Sequence, residues 1–215
     1  PFQQRISKYG IYNSLSQVLI KILAPGVPDF YQGTELWDFR LVDPDNRQPV
    51  DYVFRQQRLS ELQHLQKTIA PLDLVQRLLQ DAESGLIKMY LTTTALHIRK
   101  SNPQLFLEGS YRPLEFKGEQ AHHVCGFMRH NHSQICLVIF PRLLTTLIPD
   151  QTISPLGEPI WGKTSMRLPP EFMAHSFRNL LTQEIVTPQN GLSMVGLPVG
   201  VLFQHFPFAL LEPVS

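Results

Sequence analysis

The sequence predicts an α+β fold, with a helical half that carries one barrel-like βα unit followed by an antiparallel, sandwich-like β half. Three observations predict it. Apolar residues recur at three- and four-residue spacings before Pro103, the period of helices with one buried stripe. A short apolar stretch holding Val27, Phe30 and Tyr31 follows a Pro25-Gly26 turn and runs at once into a loop loaded with carboxylates. An apolar strand that opens on a polar loop at its carboxyl end is how a barrel unit presents chemistry. Beyond Pro103, β-rich runs alternate with turn residues at a spacing of roughly eight to twelve positions, the rhythm of a sandwich or barrel.

In chain order, residues 2–23 read as an amphipathic helix. Ile11, Leu15, Val18, Leu19 and Ile22 form its stripe, Asn13, Ser14, Ser16 and Gln17 line the other side, and Pro25-Gly26 stops it. Val27, Phe30 and Tyr31 then read as a strand ending at Gly33. Asp51 caps a second helix with Leu59, Leu62, Leu65 and Ile69 inward. Pro71 opens a third over residues 72–82, burying Val75, Leu78 and Leu79, with Gly85 behind it. Residues 86–100 hold helical spacing at Ile87, Leu91, Ala95 and Ile98 despite three consecutive threonines, and Asn102-Pro103 ends that helix.

The best strand candidates are residues 104–107, 124–129, 135–140, 177–180 and 200–211. Residues 124–129 and 135–140 flank His130-Asn131-His132-Ser133-Gln134, which reads as a hairpin with a polar tip. Residues 141–170 are proline-rich and read as irregular, with a short strand or two. Pro198, Pro207 and Pro213 suggest edge positions or bulges.

Composition narrows the function classes. The 215 residues accommodate two modest domains, divided at residues 1–102 and 103–215. Hydrophobic content of 43% against 17% charged residues supports a packed core rather than disorder. A net charge of +1 supplies no long-range field for nucleic acid or an anionic membrane, and no apolar run approaches the ~18 residues of a membrane span. Two cysteines, Cys125 and Cys136, argue against a disulfide-stapled scaffold and fit a cytoplasmic protein. The start at Pro1, with neither a Met nor a leader, reads as a piece of a longer protein.

The loop carries a resemblance. Gly26-Val27-Pro28-Asp29-Phe30-Tyr31-Gln32-Gly33-Thr34-Glu35 resembles the eighth-strand pattern of the α-amylase-type (glycoside hydrolase 13) superfamily. The extension Asp43-Pro44-Asp45-Asn46-Arg47-Gln48-Pro49-Val50-Asp51-Tyr52 narrows it to the trehalose-forming branch, the maltooligosyl trehalose synthase family. Gly109-x-Tyr111-x-Pro113-Leu114, Phe140-Pro141-Arg142-Leu143 and Phe177-Arg178-Asn179-Leu180 extend the likeness through the second half. The resemblance implies the last βα unit of a (β/α)8 barrel followed by a C-terminal antiparallel β domain. It also implies an isomerase acting by intramolecular transglucosylation on maltooligosaccharides. The family's catalytic carboxylates follow strands four, five and seven, so none is expected in this chain, which alone is expected to be inactive.

What the segment can contribute is a pocket wall. Glu35 and Arg47 are the leading candidates for sugar contact, with Asp29, Trp37, Asp43, Asp45 and Tyr52 behind them. Carboxylates and Arg hydrogen-bond hydroxyl pairs, and an indole face stacks on a pyranose ring. The competing reading makes Asp43, Asp45 and Arg47 a local network that stiffens the loop. His122, His123, Cys125, His130, His132 and Cys136 crowd one stretch, but they lack a short Cys-x-x-Cys knuckle. No metal or cofactor is therefore expected, and the two cysteines are expected to face the core. Two alternatives stay open: another amylase-type glucan transferase or hydrolase, and a glucan-binding or supporting β module with Trp161 as its lone aromatic platform. The uncovered faces of Val27, Phe30 and the first helix predict association or rearrangement.

Overall fold

The computed structural model describes residues 2–150, 153–190 and 195–214. Helix α1 (Phe2–Leu23) buries Tyr12, Leu15, Val18, Leu19 and Ile22. It packs on α4 and β4, two elements from distant parts of the chain, so more than one stripe is covered. Ser16, expected on the polar side, is buried too. Its hydroxyl donates to the carbonyls of Tyr12 (3.0 Å) and Pro141 (3.1 Å), which makes burial tolerable.

Helix α2 (Tyr52–Thr68) starts where expected, with the Asp51 carboxylate accepting from the Phe54 N–H at 2.8 Å. Helix α3 (Pro71–Gln80) follows, with Pro71 at its first turn. Helix α4 (Leu86–Ser101) is the central element, with Ile87, Leu91 and Ala95 fully buried. Gly85 before it takes φ +82°, and a Cβ there would lie 3.2 Å from the Leu36 side chain. Helix α5 (Pro103–Leu107) replaces the strand expected over residues 104–107. Leu-Phe-Leu composition does not separate a turn of helix from a strand, and Pro103 at the first helical position decides it.

The β half contains β1 (Ser110–Pro113), β2 (Phe116–Lys117), β3 (Val124–His130), β4 (Ile135–Pro141), β5 (Ser165–Arg167), β6 (Phe177–Asn179), β7 (Ile185–Val186), β8 (Gln189–Asn190), β9 (Val195–Pro198) and β10 (Ala209–Pro213). The short helices α6 (Leu144–Leu147), α7 (Gly157–Trp161) and α8 (Val199–Leu202) connect them. The ladders pair antiparallel throughout, in a six-stranded sheet β1-β3-β4-β10-β6-β7 and a four-stranded sheet β2-β5-β9-β8. The β3–β4 hairpin runs from Val124 opposite Pro141 to His130 opposite Ile135.

The six-stranded sheet is a middle layer. Along β4, Cys136, Val138 and Phe140 join the core shared with α1 and α4, whereas Ile135, Leu137 and Ile139 join the core shared with Met166 and Leu197 of the second sheet. Alternation by two across a pleated strand sorts the side chains, and both faces being covered explains why β4 is buried throughout. The expected sandwich is present, with helices covering its outer face.

Four expectations need correction. Residues 27–31 form no strand, and Val27 is 91% exposed, because a strand needs a neighbour to pair with. Residues 200–211 divide into α8, tight turns and the start of β10. Gly200 permits this, since a Cβ there would sit 2.9 Å from Glu158 backbone where α8 meets α7. Pro213 ends an inner strand rather than an edge. Pairing of β10 with β4 stops at Leu211, so the missing N–H costs no ladder bond on that side. Cys136 is buried as expected, but Cys125 is only partly so, and both thiols are free.

Candidate functional site

The connection between α1 and α2, residues 24–51, is held by side chains because it has no ladder of its own. Arg55, in the first turn of α2, turns back under it. Its Nε donates to Glu35 Oε2 at 3.1 Å, its Nη2 to the Gly33 carbonyl at 2.7 Å and its Nη1 to the Asp51 carbonyl at 3.2 Å. Arg40 clasps Asp38 with two parallel bonds, Nε to Oδ1 at 2.9 Å and Nη2 to Oδ2 at 2.6 Å. It also donates to the carbonyls of Gln48 (3.0 Å) and Gln32 (3.4 Å), tying both arms of the loop together. The Arg40 hydrogen bonds hold the Asp38 carboxyl down at about 2.

Trp37 is fixed at its edge and backed on its ring. Its indole N–H donates to the Ala82 carbonyl at 2.8 Å, and Lys88 Nζ lies 5.5 Å from the ring centroid. Lys88 is only 8% exposed and donates to the Leu36 carbonyl at 3.0 Å. Burial lowers its pKa, nearby Lys21 lowers it further, and Asp38 and Glu35 oppose both. Glu35, Trp37, Asp38, Arg40, Arg55 and Lys88 thus share one fixed patch whose charges largely answer one another.

Of the expected site residues, only Glu35 and Trp37 belong to that patch. Arg47 pairs with Asp43 at 2.5 Å on the open surface, with side-chain exposures of 70% and 55%. Asp45 accepts from the Leu41 N–H at 2.6 Å and from Gln48 Nε2 at 2.7 Å. The local-network reading of Asp43, Asp45 and Arg47 therefore matches the geometry. Asp29 lies on the surface near Lys21, whose ammonium stacks 3.8 Å from the Phe30 ring centroid. Tyr52 opens α2 and is 52% exposed.

Sequence reasoning missed Arg55, Asp38, Arg40 and Lys88. Lys88 carried a readable signal, being a cation inside the apolar run Leu86 to Leu91. Trp161 is no platform. It is fully buried, with its indole N–H on the Pro155 carbonyl at 2.9 Å. Among the described residues no three His, Cys, Asp or Glu side chains gather as metal ligands. No helix among them is long and apolar enough to cross a membrane.

No protein-family model matches the chain. A Mycobacterium tuberculosis protein named for maltooligosyl trehalose synthase is 35% identical over 149 residues, 69% of this chain. The structure of maltooligosyltrehalose synthase from Arthrobacter ramosus superposes with a TM-score of 0.72 at 31% identity over 97% of this chain. The chain is homologous to maltooligosyl trehalose synthases. It corresponds to a C-terminal part, spanning 17% of the mycobacterial protein and 23% of the Arthrobacter chain. A further maltooligosyl trehalose synthase crystal structure matches 99% of the chain at 28% identity with a TM-score of 0.64. The maltooligosyl trehalose synthase likeness thus spans both the helical half and the two sheets.

Proposed function

We propose that the chain supplies the C-terminal part of a glycoside hydrolase 13 enzyme that converts maltooligosaccharides to maltooligosyl trehalose by intramolecular transglucosylation. Kinship along nearly the whole chain supports this, and the observation that carries the local part is the anchored pair Glu35 and Trp37. In this reading residues 27–31 become the closing strand of a (β/α)8 barrel when earlier polypeptide pairs with them, and the catalytic carboxylates lie in that polypeptide. The α-1,4 bond to the reducing-end glucose breaks as a carboxylate takes the anomeric carbon, and a second carboxyl group protonates the leaving oxygen. The released glucose turns, and its anomeric hydroxyl attacks the covalent intermediate. Its proton returns to the acid/base group, closing an α,α-1,1 bond.

The chain's own residues would orient the glucose and exclude water, which would otherwise hydrolyse the intermediate. Glu35 keeps one carboxylate oxygen for a sugar hydroxyl while Arg55 holds the other, and Trp37 offers ring surface. Arg47, Asp29, Asp43 and Asp45 lie elsewhere on the same loop, and Tyr52 begins α2 at its end. The exposed Val27, Phe39 and Val42 suit contact with the earlier polypeptide, and the free thiols of Cys125 and Cys136 suit a reducing cytoplasm.

The test is to follow maltopentaose with the complete enzyme and with this chain alone. The complete enzyme should give trehalose-ended product, with Glu35→Gln shifting the ratio from transfer toward released glucose. Trehalose-ended product from this chain alone would overturn the assignment, as would an unaltered ratio for Glu35→Gln for the wall role.

A further inference from the structure

A cleft of about 550 Å³ lies between the hairpin tip, the α4–α5 junction and the end of β10, and no residue of the 24–51 loop lines it. One wall is an amide ladder. Gln134 Nε2 donates to Asn102 Oδ1 at 2.7 Å, Asn131 Nδ2 donates to Gln134 Oε1 at 3.3 Å, and Asn102 Nδ2 donates to the Ile98 carbonyl at 3.0 Å. Each amide nitrogen spends one hydrogen in those bonds and has a second to offer. The lining also includes Phe172 and His175, whose rings meet edge-on at 5.9 Å, and Glu212, which is only loosely paired with Arg178 at 3.9 Å.

The chemistry of the walls selects the ligand. No Lys or Arg lines the cleft, so a phosphate or carboxylate ligand finds no counter-charge. A purely apolar ligand would strand the amides without partners. Pre-positioned amides, the imidazoles of His132 and His175, one carboxylate and a ring face are the set that binds a neutral sugar, whose hydroxyls both donate and accept and whose C–H face stacks on an aromatic ring. The volume falls within the range of small-molecule sites.

We propose that this cleft is a saccharide-binding site separate from the 24–51 loop, taking a short neutral oligosaccharide across Gln134, Phe172 and His175. It requires no catalytic activity and stands independently of the proposed transfer reaction. The amide ladder sets hydroxyl register, and Phe172 supplies the stacking surface.

Titration of the isotope-labelled chain with maltotriose, trehalose and cellobiose, read by NMR shifts, tests this. At least one sugar should bind with Kd of about 1 mM or tighter. His175→Ala, at an exposed side chain, and Gln134→Ala should each weaken it by about tenfold while Glu35→Gln leaves it unchanged. The absence of binding for all three sugars at about 1 mM and tenfold above it overturns the proposal. So does binding that is lost in Glu35→Gln but kept in both cleft variants.

Discussion

Arg129 of β3 donates a hydrogen bond to the carbonyl of Leu23, the last residue of α1, across 106 positions of sequence at 3.3 Å. The guanidinium is 1% exposed and has no carboxylate partner among the described residues. It answers carbonyls instead, those of Leu105 (3.2 Å), Phe106 (3.1 Å), Gly109 (2.8 Å) and Ser110 (3.3 Å). A cation at the carbonyl end of two helices meets their negative poles and satisfies oxygens that helix geometry leaves unpaired. Arg99 reinforces it from α4, donating to the Ile22 carbonyl at 2.6 Å and to that of Gly26. The two arginines fix the direction in which the chain leaves α1, and therefore where the 24–51 loop begins.

Arg129→Met keeps the apolar stem and removes the donors, leaving several buried carbonyls unsatisfied. Each such loss costs about 1–3 kcal/mol, so destabilisation of at least ~3 kcal/mol is expected. Arg129→Lys should recover little, because one ammonium does not reach the same spread of oxygens. Urea unfolding of the chain measures both. An unchanged midpoint for Arg129→Met would remove this residue from the account of the fold.

The acid limb of stability should carry the mark of Asp38. Its carboxyl titrates at about 2 in the folded chain, below the ~3.9 of an unfolded Asp, so ionised Asp38 stabilises the fold fully above about pH 4. That contribution is lost as pH falls toward 2. Asp38→Asn should therefore lower the urea midpoint near neutrality, with the difference from the parent narrowing through that window. A gap independent of pH between 6 and 2 would show that the Arg40 clasp does not govern it.

How much was legible in the sequence follows from the range of each interaction. The spacing of Ile87, Leu91 and Ala95 announced α4, and the two apolar runs around residues 130–134 announced the β3–β4 hairpin, since both signals are local. The extended stretch at residues 27–31 was over-read, because an apolar run does not carry its own pairing partner. In the loop, Glu35 and Trp37 were named from residue type, but Arg55, 20 positions after Glu35, gave no sign of turning back. Arg129 was invisible for the same reason, as its oxygens come from segments that meet only in the folded chain.

Arg47 and Arg55 should separate in the complete enzyme. Arg47 makes a solvent-exposed pair with Asp43, an interaction class worth between nothing and about 1 kcal/mol. Arg55 holds both the Glu35 carboxylate and the Gly33 carbonyl. Arg55→Ala should lower trehalose-forming turnover by about tenfold or more and raise glucose release, whereas Arg47→Ala should change each less than about twofold. The reverse order would move the sugar contact outward to the Asp43–Arg47 turn.

The two tryptophans give the loop its own optical probe. Trp161 is fully buried against Phe203, ring centroids 5.3 Å apart, while Trp37 is partly exposed within the loop. Trp161→Phe should remove a blue-shifted, acrylamide-protected emission and cost stability, since its indole N–H serves the Pro155 carbonyl. Trp37→Phe should remove the more quenchable emission. In the complete enzyme, the emission lost in Trp37→Phe relative to the parent should be protected from quenching by added maltopentaose, if a sugar ring comes to rest on the indole. A parent-minus-variant difference that is indifferent to maltopentaose would take Trp37 out of the pocket wall and leave Glu35 as its nearer boundary.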